Sequence, residues 1–284
     1  MRQATLLLEG GAARGLFTTG VLDYLLEKNC MVSDVIGLSA GASNALGYVA
    51  KQKGWAKNCM IHKDHSFHYC NLQSYIRTKS FIDMELMFDK IPNELVPFHY
   101  DAFFQSDVTL TVGITNCITG QAEYRSHVES SEELLQLCRA SCSLPLLSTI
   151  VEIDSIPYLD GAVANPLPIE YAQSLGTDKI IVVLTRNFGY RKNPTSKAML
   201  KVIARTYKEY PQLIHTLNEN YQCYNKNLAY LEQLEQSGKI FVLRPHMKLY
   251  GRLEQNPDKL EALYHHGYHC MEEEYQNLMA YLEH

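Results

Sequence analysis

No stretch of this 284-residue chain approaches the ~20 consecutive apolar residues that a membrane-crossing helix needs. No positively charged then apolar leader precedes the first strand-like run, so a cleaved signal peptide is not expected. Positive charge is not in excess: 26 Lys and Arg stand against 31 Asp and Glu, a formal net charge of −5. Wholesale nucleic-acid binding is therefore not expected. The eight cysteines lack a disulfide-scaffold rhythm and read as reduced, mostly core thiols of a cytoplasmic protein. Internal repeats and low-complexity linkers are also missing. Apolar residues make up 46% of the chain, enough for the core of one large α/β domain with helical additions, or of two small domains.

Chemistry begins at Gly37-Leu38-Ser39-Ala40-Gly41, between the strand-like run Val32 to Ile36 and an Ala/Gly-rich helical stretch. A serine on a sharp strand-to-helix turn takes strained backbone angles. Gly37 and Gly41, two positions either side, let strand and helix approach closely. Such a turn presents a nucleophile, or it is a tight βα turn whose serine only caps a helix.

Upstream, the strand-like Ala4 to Leu8 runs into Glu9-Gly10-Gly11-Ala12-Ala13-Arg14-Gly15 and then a helical pattern. Amides of such a loop converge on an anion, with a helix dipole behind them. That anion is a phosphate or the oxyanion of an acyl intermediate, unless the loop is an ordinary turn. The phosphate motifs fit poorly: dinucleotide spacing needs glycine where Ala12 stands, and the Lys-Ser/Thr pair of a P-loop is missing. A third piece, Asp160-Gly161-Ala162, follows the short strand candidate Ile156 to Leu159. Its aspartate is either a base desolvated in a pocket or a turn residue bonded to its own backbone.

In this order the three pieces resemble the patatin-like phospholipase family. A fourth, Arg139-Ala140-Ser141-Cys142-Ser143-Leu144-Pro145, is similar to the family's Ala-Ser-x-Ser-x-Pro element. The resemblance covers about residues 4–185. It implies a three-layer α/β/α fold with a mostly parallel sheet, and hydrolysis of lipid acyl esters without a cofactor or metal. It also implies Ser39 as nucleophile, Asp160 as its base, and the amides of Gly10, Gly11 and Ala12 as oxyanion hole. Arg14, Gly15, Gly37, Gly41 and Gly161 are supporting motif residues; Arg14 steadies the loop by bonding neighbouring carbonyls, the favoured reading, or attracts a phosphate head group. Two departures stand out: Ala12 replaces a common third glycine, and Asp-Gly-Ala replaces a common Asp-Gly-Gly. The same serine would also serve an acyltransferase or thioesterase. A Ser-His-Asp triad using His215, His246 or His266 is a further alternative, and a lipid carrier with a vestigial site is the non-enzymatic one.

The remaining elements follow from pattern. A catalytic core over 1–186 is expected to carry a helical insertion at about 54–100, with aromatics Trp55, Phe67, Tyr69, Tyr75, Phe81, Phe88 and Phe98 covering the site and lining an acyl channel. Residues 187–284 are expected to be mainly helical, over 196–236 and 258–282, with one strand at Lys239 to Leu243. Val108 to Thr115 alternates and predicts a half-buried strand, with Ala122 to Arg125 as its hairpin partner. Ser130 with Glu133 predicts a capped helix through Cys138. Lys179 to Leu184 predicts a strand covered on both faces.

Residues 186–208 carry Arg186, Arg191, Lys192, Lys197, Lys201, Arg205 and Lys208 with no acidic residue. They form a peripheral flap on anionic lipid or a solvated face balanced elsewhere. Cys59, His62, His65, His68 and Cys70 cluster, but their spacing does not match paired zinc ligands, and no metal is expected there. His265, His266 and His269 make a still weaker metal candidate.

Overall fold

A computed structural model describes residues 1–62 and 80–283. His65, Phe67, His68, Tyr69, Cys70 and Tyr75 lie outside the described residues. One sheet of eight strands organises the chain: β1 (Arg2–Leu8), β2 (Val32–Leu38), β3 (Thr109–Asn116), β4 (Ala122–Arg125), β5 (Val151–Ile153), β6 (Ile156–Asp160), β7 (Ile180–Val183) and β8 (Phe241–Leu243). Hydrogen-bonded pairing runs β5-β6-β3-β2-β1-β7-β8, with β2 and β6 following one another along one edge of β3 and β4 on the other. The run from β3 to β8 is parallel, while β4, β5 and β6 pair antiparallel. Parallel strands need crossovers, and helices α1 (Gly15–Glu27) and α2 (Ala40–Val49) supply the first two.

Alternate side chains of the central strands feed two cores. Leu6, Leu8 and Val35 pack with α1, α2 and the C-terminal helix. Leu7, Ile36 and Val182 pack on the other face, against α6 (Ile169–Ser174) and the long helix α8 (Pro211–Gln236). These are the two covered faces that an apolar β7 requires. β3 departs from its alternating pattern, because the exterior expected for one face is covered too. Thr111 and Thr115 are buried, and Thr115 is satisfied by donating to the Asp160 carbonyl oxygen at 2.8 Å.

The helical span expected over 196–236 is two helices, α7 (Lys197–Thr206) and α8, separated where Pro211 opens the second. The region 54–100 contributes α3 (Trp55–Met60) and a π-helical segment, Leu86–Leu95, and α4 (Tyr100–Phe104) follows. Ser130 caps α5 (Ser131–Ser141) by accepting the Glu133 amide at 3.1 Å, while Glu133 reaches back to the Glu129 amide. The last helix, α9 (Pro257–Glu283), lies along α1. The two come so close that a Cβ on Gly20 would meet the Tyr264 carbonyl oxygen, and one on Gly267 the Phe17 carbonyl oxygen, at about 2 Å. Among the described residues no helix is long and apolar enough to cross a membrane.

Candidate active site

Residue pairing on β3 brings the candidate nucleophile and base together. Gly113 pairs with both Leu38 and Tyr124, so β2 and β4 hold opposite edges of β3. Ile114 pairs with Glu123 of β4 and with Asp160, so β6 lies on the same edge as β2, one position further on. The end of β2 and the end of β6 therefore meet, with Ser39 and Asp160 at the junction. Close packing at Gly161 makes this possible, since a Cβ there would sit 2.1 Å from the Gly113 carbonyl oxygen.

Ser39 occupies the left-handed region, with φ 53° and ψ −126°, at the N-terminus of α2. Such an angle strains any residue with a Cβ, and the neighbours hold it there. Gly37 lies against Ala42, and Gly41 against the Leu8 carbonyl oxygen, both closer than a Cβ would allow. The buried Ser39 amide donates to Ser141 Oγ at 2.9 Å, and Ser141 Oγ donates on to the Gly113 carbonyl oxygen at 2.7 Å. Ser141 thus ties the turn to β3.

Asp160 is buried. Its Oδ1 accepts the Ala162 amide at 2.8 Å, while buried Oδ2 has no hydrogen-bond partner among the described residues. Burial raises its pKa to about 6. The adjoining Ser39 hydroxyl, the Ala162 amide and the cations Arg252 and Lys192 oppose that rise. The result is a carboxylate more basic than usual, with a free oxygen beside a strained serine.

The glycine loop crosses in front of this pair. Gly10 abuts Ser39, whose Cβ would be 2.9 Å from a Cβ on Gly10. Gly11 rests on Thr185, and Gly15 on Ala40 and Asn44 at the start of α2. Ala12 takes φ 50°, a conformation where glycine would be at ease and alanine costs about 1–2 kcal/mol. Among the described residues no acceptor takes the amides of Gly10, Gly11 or Ala12, whereas that of Ala13 donates to the Arg252 carbonyl oxygen at 3.1 Å. Arg14 braces the loop from outside, donating Nε–H to the Tyr250 carbonyl oxygen at 2.9 Å. Burial and the neighbouring Arg186 and Arg252 lower its pKa to about 10.

Sequence reasoning missed Glu9, which directly follows β1 and is buried. It accepts the Thr185 amide at 2.5 Å and the Tyr224 hydroxyl at 2.9 Å, and so anchors the loop to β7 and α8. Burial raises its pKa. Asn220 of α8 was also missed. It donates to the carbonyl oxygens of Ala162 and Val163, bracing the turn after Asp160. Single residues of this kind carry no local motif, because their partners are far away in sequence.

Ser39 opens onto two cavities of opposite character. One, narrow and apolar, about 90 Å³, runs past Leu16, Trp55, Met60, Met87, Phe88 and Ile91. Residues of the expected 54–100 insertion form much of its wall. The other, about 600 Å³, holds Asp160, Arg186, Lys192, Arg252 and Tyr190. Of the basic run 186–208, Arg186 and Lys192 thus point into the site, and Arg191 pairs with Glu232. Burial with Arg252 and Arg186 lowers the Lys192 pKa to about 8. Neither cavity is lined by a histidine among the described residues. His246 and His266 sit together elsewhere, beside Cys270.

The model of the patatin-like phospholipase family matches residues 6–172, a span that includes Ser39 and Asp160. A second model, described as a domain of unknown function (DUF6363), matches residues 210–283. The uncharacterized protein YjjU of Escherichia coli strain K12 is 26% identical over 187 residues, 63% of this chain and 51% of that protein. The chain thus corresponds to about half the length of that relative. Among solved structures, VipD from Legionella pneumophila is similar with a TM-score of 0.49 and 12% identity, over 100% of this chain and 67% of that one.

Proposed function

The chain belongs to the patatin-like phospholipase family, and from that premise we propose that it hydrolyses carboxylic esters of lipids through Ser39 and Asp160. One observation carries this reading. A serine at φ 53° adjoins a buried carboxyl with a free oxygen and a pKa of about 6, where an apolar cavity meets a basic one.

The acyl chain enters the apolar cavity and the polar part of the lipid faces Arg186, Lys192 and Arg252. Asp160 Oδ2 accepts the Ser39 hydroxyl proton as Oγ attacks the ester carbonyl carbon. The negative oxygen is met by the amides of Gly10, Gly11 and Ala12, each such donor contributing about 3–4 kcal/mol to the transition state. The leaving alcohol departs with the proton from Asp160. Water, giving its proton to the same carboxylate, then cleaves the acyl-serine and restores the hydroxyl. A carboxylate with a pKa near the working pH suits both directions of proton transfer.

Three cations in one cavity, Arg186, Lys192 and Arg252, suit an anionic head group. Around the opening, exposed Met199 and Val202 stand beside Lys197, Lys201 and Arg205 on α7, a surface suited to an anionic lipid layer. The absence of histidine from both cavities, among the described residues, favours the dyad over a triad.

Labelling with a fluorophosphonate probe, alongside a panel of phosphatidyl, lysophosphatidyl, monoacyl and short aryl esters, tests the reading. Wild type is expected to label and to cleave at least one lipid ester, with both lost in Ser39→Ala. A folded wild type that neither labels nor hydrolyses would overturn the reading.

A further inference from the structure

Away from the Ser39 cavities, two distant parts of the chain bring together three metal-ligating side chains. His246 follows β8, and His266 and Cys270 stand one turn apart on α9. One ligand atom from each lies within 4.8 Å of the others. Cys270 Sγ is 3.7 Å from His246 Nδ1 and 3.6 Å from His266 Nε2, with the other His266 nitrogen, Nδ1, at 3.8 Å. The imidazole rings meet edge to face, with centroids 4.3 Å apart.

A tetrahedral zinc ion, with Zn–S near 2.3 Å and Zn–N near 2.05 Å, holds its sulfur and nitrogen ligands about 3.6 Å apart. Both observed separations match that value. Hydrogen bonding explains them less well, because a thiol has one proton and Sγ is equally close to two imidazoles. The cysteine is buried and His246 exposed, so the ligands are held firmly while an ion has a way in. Glu273, one turn beyond Cys270, lines the same hollow and offers a fourth ligand, with water as the alternative.

We propose that Cys270, His246 and His266 bind one zinc-class divalent ion. Binding releases the thiol proton to solvent, and the ion takes over the His266 Nε2 lone pair, which here accepts the His246 amide at 3.1 Å. The ion joins α9 to the segment after β8. That segment also carries the Tyr250 and Arg252 carbonyl groups that hold Arg14 and Ala13 of the glycine loop. The site is therefore a brace between the C-terminal helix and the loop in front of Ser39.

Titration of the chelator-treated, reduced full chain with Co2+ tests the site independently of any hydrolysis. The expected result is a thiolate-to-cobalt charge-transfer band with tetrahedral visible absorption, saturating at one equivalent and displaced by Zn2+. Cys270→Ser is expected to lose the charge-transfer band. His246→Gln, at an exposed position that leaves the fold intact, is expected to weaken binding by at least about tenfold. Circular dichroism confirms that both variants are folded. A folded wild type without the band overturns the proposal, as does an undiminished band in folded Cys270→Ser or an unchanged affinity in folded His246→Gln.

Discussion

Leu38 and Asp160 occupy consecutive positions along one edge of β3, Leu38 opposite Gly113 and Asp160 opposite Ile114. β2 arrives at that point parallel to β3 and β6 arrives antiparallel, so their ends face each other. The residue after Leu38 is Ser39. Sheet register, rather than loop conformation, sets the distance between candidate nucleophile and base. A site built on paired strands is held more firmly than one built on loops.

Burial of Asp160 has a cost that depends on pH. Its pKa rises from 3.8 to about 6 on folding, so the folded state binds the proton more tightly than the unfolded chain. The stabilising effect of protonation is complete below pH 3.8 and is lost as pH rises through about 6. Asp160→Asn, which cannot ionise, is expected to gain stability over wild type as pH rises from about 4 to about 6 and to keep that margin above it. Thermal unfolding at a series of pH values checks this. A difference independent of pH would contradict a carboxylate whose burial raises its pKa.

Ser141 joins the Ser39 amide to the Gly113 carbonyl oxygen, and Ser141→Ala leaves the buried Ser39 amide without its partner. The expected loss of stability is about 1–3 kcal/mol. Hydrolysis should fall together with it, because φ 53° at Ser39 is no longer held. Urea unfolding and kcat on a soluble ester measure the two effects. Unchanged kcat in this variant would separate Ser141 from the turn.

Lys192 provides a test of head-group selection. With its pKa at about 8, it loses charge as pH rises through that value. The ratio of kcat/KM for an anionic lipid to that for an uncharged ester should therefore decline above about pH 8 in wild type. Lys192→Met should start from a lower ratio, which stays flat over the same range. Equal ratios in the two proteins would remove Lys192 from substrate selection.

The close crossing of α1 and α9 leaves no room at Gly267. Gly267→Val is expected to destabilise by about 1–3 kcal/mol or more, as overpacking does. Because α1 begins at Gly15 of the glycine loop, fluorophosphonate labelling should slow as well. Calorimetry checks the first effect, and a wild-type melting temperature would show that the helices part easily.

The elements around the site were legible where a local pattern has one physical cause. Gly37 and Gly41 mark a tight strand-to-helix turn whatever the rest of the chain does, and the Ser130–Glu133 cap is complete within a few residues. Ile180 to Val183 reads as a strand because nothing in it is polar. Legibility ended where the cause is long-range. Thr111 and Thr115 look like an exposed face until both layers of helix are in place. Glu9, Ser141 and Asn220 act through partners on other elements, and Lys192 joins Arg252 only in the folded chain. His246 is twenty residues from His266, and neither has a motif that points to Cys270.

The most direct measurement is lipid-ester hydrolysis by folded Asp160→Asn against wild type, across pH 5 to 8. The account predicts wild-type kcat/KM rising with pH through about 6 as Asp160 ionises, and turnover in the variant reduced by at least about a hundredfold at every pH. Near-normal hydrolysis by the variant would contradict it, since Ser39 would then take its base from elsewhere.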